Sequence, residues 1–193
     1  MAQAEYQITL PARTETDDDP AIAAALAKVK AQTGRIPNMY ARMANVPGLL
    51  ETYLAGSAAL RQHSGFSPDE QQILFLAISR TNGCTYCVAV HSGQADMAKV
   101  PTEVTDALRA GEPLPDARLD ALATFVTTMV DTRGLPSRAD VEAFLAAGFQ
   151  ESDILQVVLA IAVKTISNYT NHLFRTPVDD AFAHRSWEEH ATA

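Results

Sequence analysis

The chain has 193 residues, 47% hydrophobic and 20% charged, with a formal net charge of −8. That length can bury a sizeable core without staples, and the acidic balance, with basic residues scattered singly, excludes a nucleic-acid surface. No run reaches the ~18 apolar residues that a bilayer span needs. The start MAQAEYQITLPARTETDDDP also lacks a basic-then-apolar leader pattern, so a soluble, cytoplasmic protein is expected.

Residues 1–17 are polar and uneven and read as an N-terminal arm ahead of one helical domain over 18–193. Asp19 as N-cap and Pro20 at the first helical position open a first helix through Gln32, with Gly34 beyond its end. A second helical region runs to about Arg61, broken near Val46-Pro47 and closed by Gly65. Ser67, Pro68, Asp69 and Glu70 form a capping box that opens a helix to Arg80, and a further helix runs from Cys84 to about Lys99. Pro101 starts a short helix to Arg109. Leu119, Leu122, Val126 and Met129 then mark one that Gly134 ends, and Ser137 caps one that Gly148 stops. Ile154 to Ser167 is apolar nearly all round, as expected of a helix buried centrally or between subunits. Pro177 to about His190, with Trp187, reads as the last helix. No stretch alternates with the period of a strand, so the fold class is all-α.

Chemistry concentrates in TNGCTYCVAVHS, Thr81 to Ser92, which holds the only two cysteines, Cys84 and Cys87, and His91 one turn on. At ~100° per residue the three side chains fall on one helical face. Asn82-Gly83 ends the preceding helix, which puts Cys84 in the first turn of a new one, where the dipole and unpaired N–H groups favour thiolate. Two cysteines three apart close too short a loop to staple a fold, which points to catalysis. The pair reads as a redox dithiol, as half of a metal site, or as two small buried side chains. A metal site would use Cys84, Cys87 and His91 with His63 or His172, but ligands from one helical face rarely close a tetrahedral shell. Thr85, Tyr86 and the preceding glycine describe an exposed helix start rather than core. His91 is spaced to touch Cys87 and take its proton, or to serve packing alone. The capping box already occupies Glu70, and Asn171 and His172 either line a pocket or cap a helix end.

SPDEQQILFLAISRTNGCTYCVAVHS resembles the core of the alkylhydroperoxidase D-like proteins of the carboxymuconolactone decarboxylase superfamily, and GRIPNMYARMANVPGLL and SNYTNH extend the likeness over about Gly34 to His172. The resemblance implies a single-domain helical bundle without metal, haem or other cofactor, assembled as a trimer or larger homo-oligomer. Its implied substrate is a hydroperoxide and its implied partner a dithiol/disulfide reductant. Cys87 would attack peroxide, Cys84 would resolve the sulfenic acid into a disulfide, and His91 would relay protons. Two positions depart from the family: Gln72 stands where a glutamate is usual, and Tyr86 where a second histidine often lies. Glutamine can hold a water or orient a ring but cannot accept a proton; Gln72 is a candidate relay or pocket residue together with Glu70, which a spacing of two residues turns to the opposite helical face, Tyr86 and His172. The expected function is a cofactor-free thiol peroxidase or disulfide oxidoreductase. Its rivals are a lactone decarboxylase of the same superfamily, a lyase that needs no thiols, and a non-catalytic assembly or metal-binding helical protein.

Overall fold

Side-chain acceptors ahead of apolar runs set many of the helix starts. In a computed structural model that describes residues 4–188, Asp19 accepts the Ala21 N–H to open α1 (Pro20–Thr33), and Pro47 enters α3 (Pro47–His63) after the short α2 (Asn38–Met43). The Ser67–Glu70 capping box opens α4 (Pro68–Thr81). After α5 (Thr85–Met97) and α6 (Thr102–Ala110), Asp116 caps α7 (Ala117–Asp131) and Ser137 caps α8 (Arg138–Ala146). The longest helix, α9 (Glu151–Phe174), meets α8 at 109°. Every regular element among the described residues is helical. No single helix among them is long and apolar enough to cross a membrane.

Asn168, Asn171 and His172 form the polar end of α9, which runs to Phe174. One expectation changes in detail. The expected helix from Pro177 is a 3₁₀ turn over Asp180–Arg185, with Trp187 beyond it and residues 189 and 190 outside the described residues. Its natural cap, Asp179, is engaged elsewhere: Oδ1 accepts the Asn38 N–H at 3.1 Å and Oδ2 accepts the Tyr86 hydroxyl. Residues 4–17 are irregular and held to their own chain, with Ile8 N–H donating to the Leu173 carbonyl and Arg13 N–H to that of Ala41, both at 2.9 Å.

Apolar burial forms two clusters. One gathers Ile73, Leu74, Leu76, Leu122, Phe125, Phe144 and Val157 around α4, α7, α8 and the first half of α9. The other joins Ile22, Leu26, Met43, Leu50 and Tyr53 of α1–α3 to Val163 and to the cysteine-bearing start of α5. Between them lies a line of buried polar side chains from α4, α5 and α9: Gln72, His91, Lys164, Asn168 and Asn171. Burying such groups costs several kcal/mol unless each finds a partner, so this seam is where a functional site is to be sought.

Candidate active site

The cysteines are placed by the turn between α4 and α5. Gly83 adopts φ +67°, its N–H donates to the Arg80 carbonyl and that of Cys84 to the Ser79 carbonyl, both at 2.8 Å. This is a Schellman closure, which needs the left-handed residue that glycine supplies. Its last residue, Cys84, is at once the N-cap of α5, so Cys87 falls in that helix's first turn. The turn is not exposed, contrary to expectation: Cys84 and Cys87 are 1% and 2% accessible, because α2, α3 and α9 close over it. Both are free thiols.

The surroundings differentiate the two sulfurs. Burial alone would raise the Cys87 pKa, but the Cys84 thiol donates to its sulfur, the Lys164 ammonium faces it, and the amides of Asn171 and Asn168 point to it, so it is held down at about 5. Asn171 Nδ2 donates to Cys87 Sγ at 3.3 Å and lies 3.2 Å from Met39 Sδ. Burial pushes the Cys84 thiol well up, and its bond to the Cys87 thiolate pushes it further. One sulfur is a thiolate and its neighbour a thiol at neutral pH.

His91 does not meet Cys87, although spacing places both on one helical face. Its Nδ1 donates to Gln72 Oε1 at 3.3 Å, its Nε2 accepts from Lys164 Nζ at 2.9 Å, and its ring stacks on Phe75 with centroids 4.9 Å apart. Burial and then the Lys164 charge hold its pKa well below the ordinary value, so it is neutral. The cation beside the thiolate is therefore Lys164, 1% accessible and absent from the sequence reading. Gln72 sits where a relay residue would, against the imidazole. Glu70 is elsewhere, closing the capping box with Ser67 and pairing with Arg118 at 2.7 Å. Tyr86 is buried with its hydroxyl on Asp179, a carboxylate that, after burial, pushes its pKa up, so it is no base. His172 lies on the far side of the cysteines, in a different cavity. His63 is exposed at the end of α3. Among the described residues no three His, Cys, Asp or Glu side chains cluster so as to share a metal ion.

Cys87, His91 and Lys164 form the floor of a cavity of about 320 Å³ whose walls include Tyr40, Tyr53 and Phe182. Arg61 and the exposed Met97 stand at its mouth. The Phe182 ring is pressed so close to α5 that a Cβ on Gly93 would fall 2.5 Å from it, which leaves room only for glycine there.

Residues 47–125 match the carboxymuconolactone decarboxylase family. The fold is shared with the alkylhydroperoxidase AhpD core structure of an uncharacterized peroxidase-related protein from Ralstonia eutropha JMP134, at TM-score 0.77 and 21% identity over 90% of this chain and 93% of that one. A peroxidase-related protein from Silicibacter sp. TM1040 gives 0.75 and 20% over 94% and 96%. The debrominase Bmp8, as a cysteine-to-alanine variant in complex with 2,3,4-tribromopyrrole, gives 0.75 and 14% over 94% and 97%. No curated protein sequence matches the chain. Over residues 47–125 the chain is thus similar to the carboxymuconolactone decarboxylase family, and its fold as a whole is the AhpD-like helical one.

Proposed function

We propose that the protein is a cofactor-free thiol peroxidase that cycles through a Cys84–Cys87 disulfide. The observation that carries this reading is the contact between a thiolate that lines the cavity and a neighbouring thiol, with a buried ammonium beside the thiolate. The Cys87 thiolate attacks the distal oxygen of a hydroperoxide, the O–O bond breaks, and the products are a Cys87 sulfenic acid and an alkoxide. Lys164, bonded to His91, neutralises the developing oxyanion and gives it a proton, which the amine recovers from water. Cys84 then attacks the Cys87 sulfur. The S–O bond breaks and the leaving hydroxide departs as water with the Cys84 proton.

The test is steady-state hydroperoxide consumption with dithiothreitol as reductant. Cys87→Ser should abolish turnover, and Cys84→Ser should give a single turnover ending in a sulfenic acid that dimedone traps at Cys87. Sustained turnover by Cys87→Ser would refute the reading. Attack by the same thiolate on the halogen of a haloaromatic ring is the second reading, favoured by the aromatic cavity wall and by the fold shared with the debrominase. Bromide release from a bromopyrrole in the absence of peroxide would favour it.

A further inference from the structure

Cys84 and Cys87 are one turn apart, yet they open on different cavities. Cys87 lines the cavity of about 320 Å³ already described, whereas Cys84 lines a second of about 660 Å³, bounded also by Asn171, His172, Thr176 and Trp187. Tyr86 alone lines both, a partition fixed by its bond to Asp179. The second wall carries three buried side-chain atoms without a hydrogen-bond partner: Asn171 Oδ1, His172 Nε2 and Thr176 Oγ1. Asn171 and Thr176 are only 4% and 7% accessible. Buried polar atoms are nearly always bonded, so three orphans beside a thiol describe a site built for a polar ligand.

We propose that this second cavity is the entrance of the reductant, a small polar dithiol, and that His172 is the base that activates it. The proposal deepens the disulfide cycle above and rests on it. His172 lines this cavity and its buried Nε2 has no partner within the protein, which leaves that lone pair free to accept a proton. Burial holds the imidazole neutral, the form that accepts a proton. Nε2 takes the proton of one dithiol sulfur, and the resulting thiolate attacks Cys84 Sγ. The Cys84–Cys87 bond breaks and Cys87 leaves as the thiolate that Asn171 and Lys164 stabilise. The second dithiol sulfur then displaces Cys84 from the mixed disulfide. Cys84 leaves with the proton of that second thiol, and the reductant departs as a cyclic disulfide, two electrons poorer. Orphaned Asn171 Oδ1 and Thr176 Oγ1 hold the polar body of the dithiol during the exchange.

The two half-reactions can be separated. The disulfide is made with diamide, so its reduction by dithiothreitol can be timed whether or not the protein responds to peroxide. Oxidation of the reduced thiols by hydroperoxide is timed separately. His172→Gln should slow reduction by roughly tenfold or more and flatten its pH dependence, as loss of a general base does, and leave oxidation unchanged. Thr85→Phe, at an exposed position on the second cavity, should likewise slow reduction only. Ser57→Phe, on the first cavity, should slow oxidation only. If Ser57→Phe slows reduction and the His172 and Thr85 variants do not, both substrates use one entrance and the proposal is wrong. If diamide-made disulfide behaves as described but peroxide oxidises neither thiol in the parent, the second entrance stands and the peroxidase reading falls.

Discussion

Replacing Lys164 by methionine separates the contribution of the buried cation from the rest of the thiolate site. The side chain is 1% accessible and its ammonium has two aids besides the thiolate, the His91 Nε2 acceptor at 2.9 Å and the face of Phe75 at 5.8 Å. Methionine keeps the length and apolar stem and removes the charge. An opposite charge at close range typically lowers a pKa by ~1–3 units. Cys87, held at about 5 in the parent, should therefore titrate at ~6–8 in Lys164→Met, since the Cys84 thiol and the two amides remain. At pH 6 the thiolate fraction should drop from ~90% to between ~50% and ~1%, with the rate of sulfenic acid formation falling in proportion. Thiolate absorbance near 240 nm against pH, with stopped-flow peroxide kinetics on the same samples, reads both quantities. A midpoint that stays at that of the parent would refute the assignment of Lys164 as the stabilising cation. The converse variant gives an independent check: Cys87→Ala leaves the ammonium without its counter-charge and should cost ~3–5 kcal/mol of stability, most of which Cys87→Ala/Lys164→Met should restore.

Four further outcomes follow from the geometry. Because the folded Cys87 pKa lies below its ordinary value, the rate of peroxide attack should be level through neutral pH and fall only as pH drops through about 5, whereas an unperturbed cysteine would show a rate rising through ~8.5. By the same sign, the stability that this ionisation contributes is fully present above the unfolded-state pKa and lost as pH falls through the folded one, which chemical denaturation of the parent and Cys87→Ser between pH 4 and pH 9, a range set by about those two values, will measure. Gln72→Glu places a carboxylate on His91 Nδ1, favours imidazolium, and should raise peroxide turnover, up to ~10²-fold, if the imidazole then carries protons for the site; an unchanged or lower rate would show that the Lys164 path suffices. Leu155, Val158, Ala162, Tyr169 and Leu173 are exposed along one stripe of α9, within ~60° of arc, so we expect the chain to self-associate there; light scattering should show an oligomer that Leu155→Glu/Val158→Glu dissociates.

Much of the fold is legible because its signals are local. Asp19, Ser67 and Ser137 announce helix starts through side-chain acceptors, and Asn82-Gly83 announces the turn that sets Cys84 at a helix N-cap. The last element falls short of the expected helix because Asp179, at its start, has its carboxylate spent across the chain on Tyr86 and Asn38. At the site, the cysteine pair and His91 are found by helical spacing, but spacing says nothing of what an adjacent helix places between them. His91 turns to Gln72 of α4 and Lys164 of α9, a choice made by packing. Lys164 does leave a trace: it is the one charge in the apolar run Ile154 to Ser167, and with Asn168 and Asn171 it recurs at i, i+4 and i+7, which sets three polar groups on one face of a buried helix. Exposure of the cysteines is misread from sequence because Thr85 and Tyr86 look like surface residues, and Thr85 is one, whereas Tyr86 is buried in the apolar cluster of α1–α3 with its hydroxyl bonded to the distant Asp179.

That the two thiols form one redox couple driven by peroxide is tested most directly by intact-protein mass spectrometry after one equivalent of hydroperoxide, followed by peptide mapping. We expect a chain lighter by two hydrogens, with Cys84 and Cys87 joined within it and fully restored by dithiothreitol. Unmodified thiols, disulfides only between chains, or sulfonic acid at Cys87 would contradict the account.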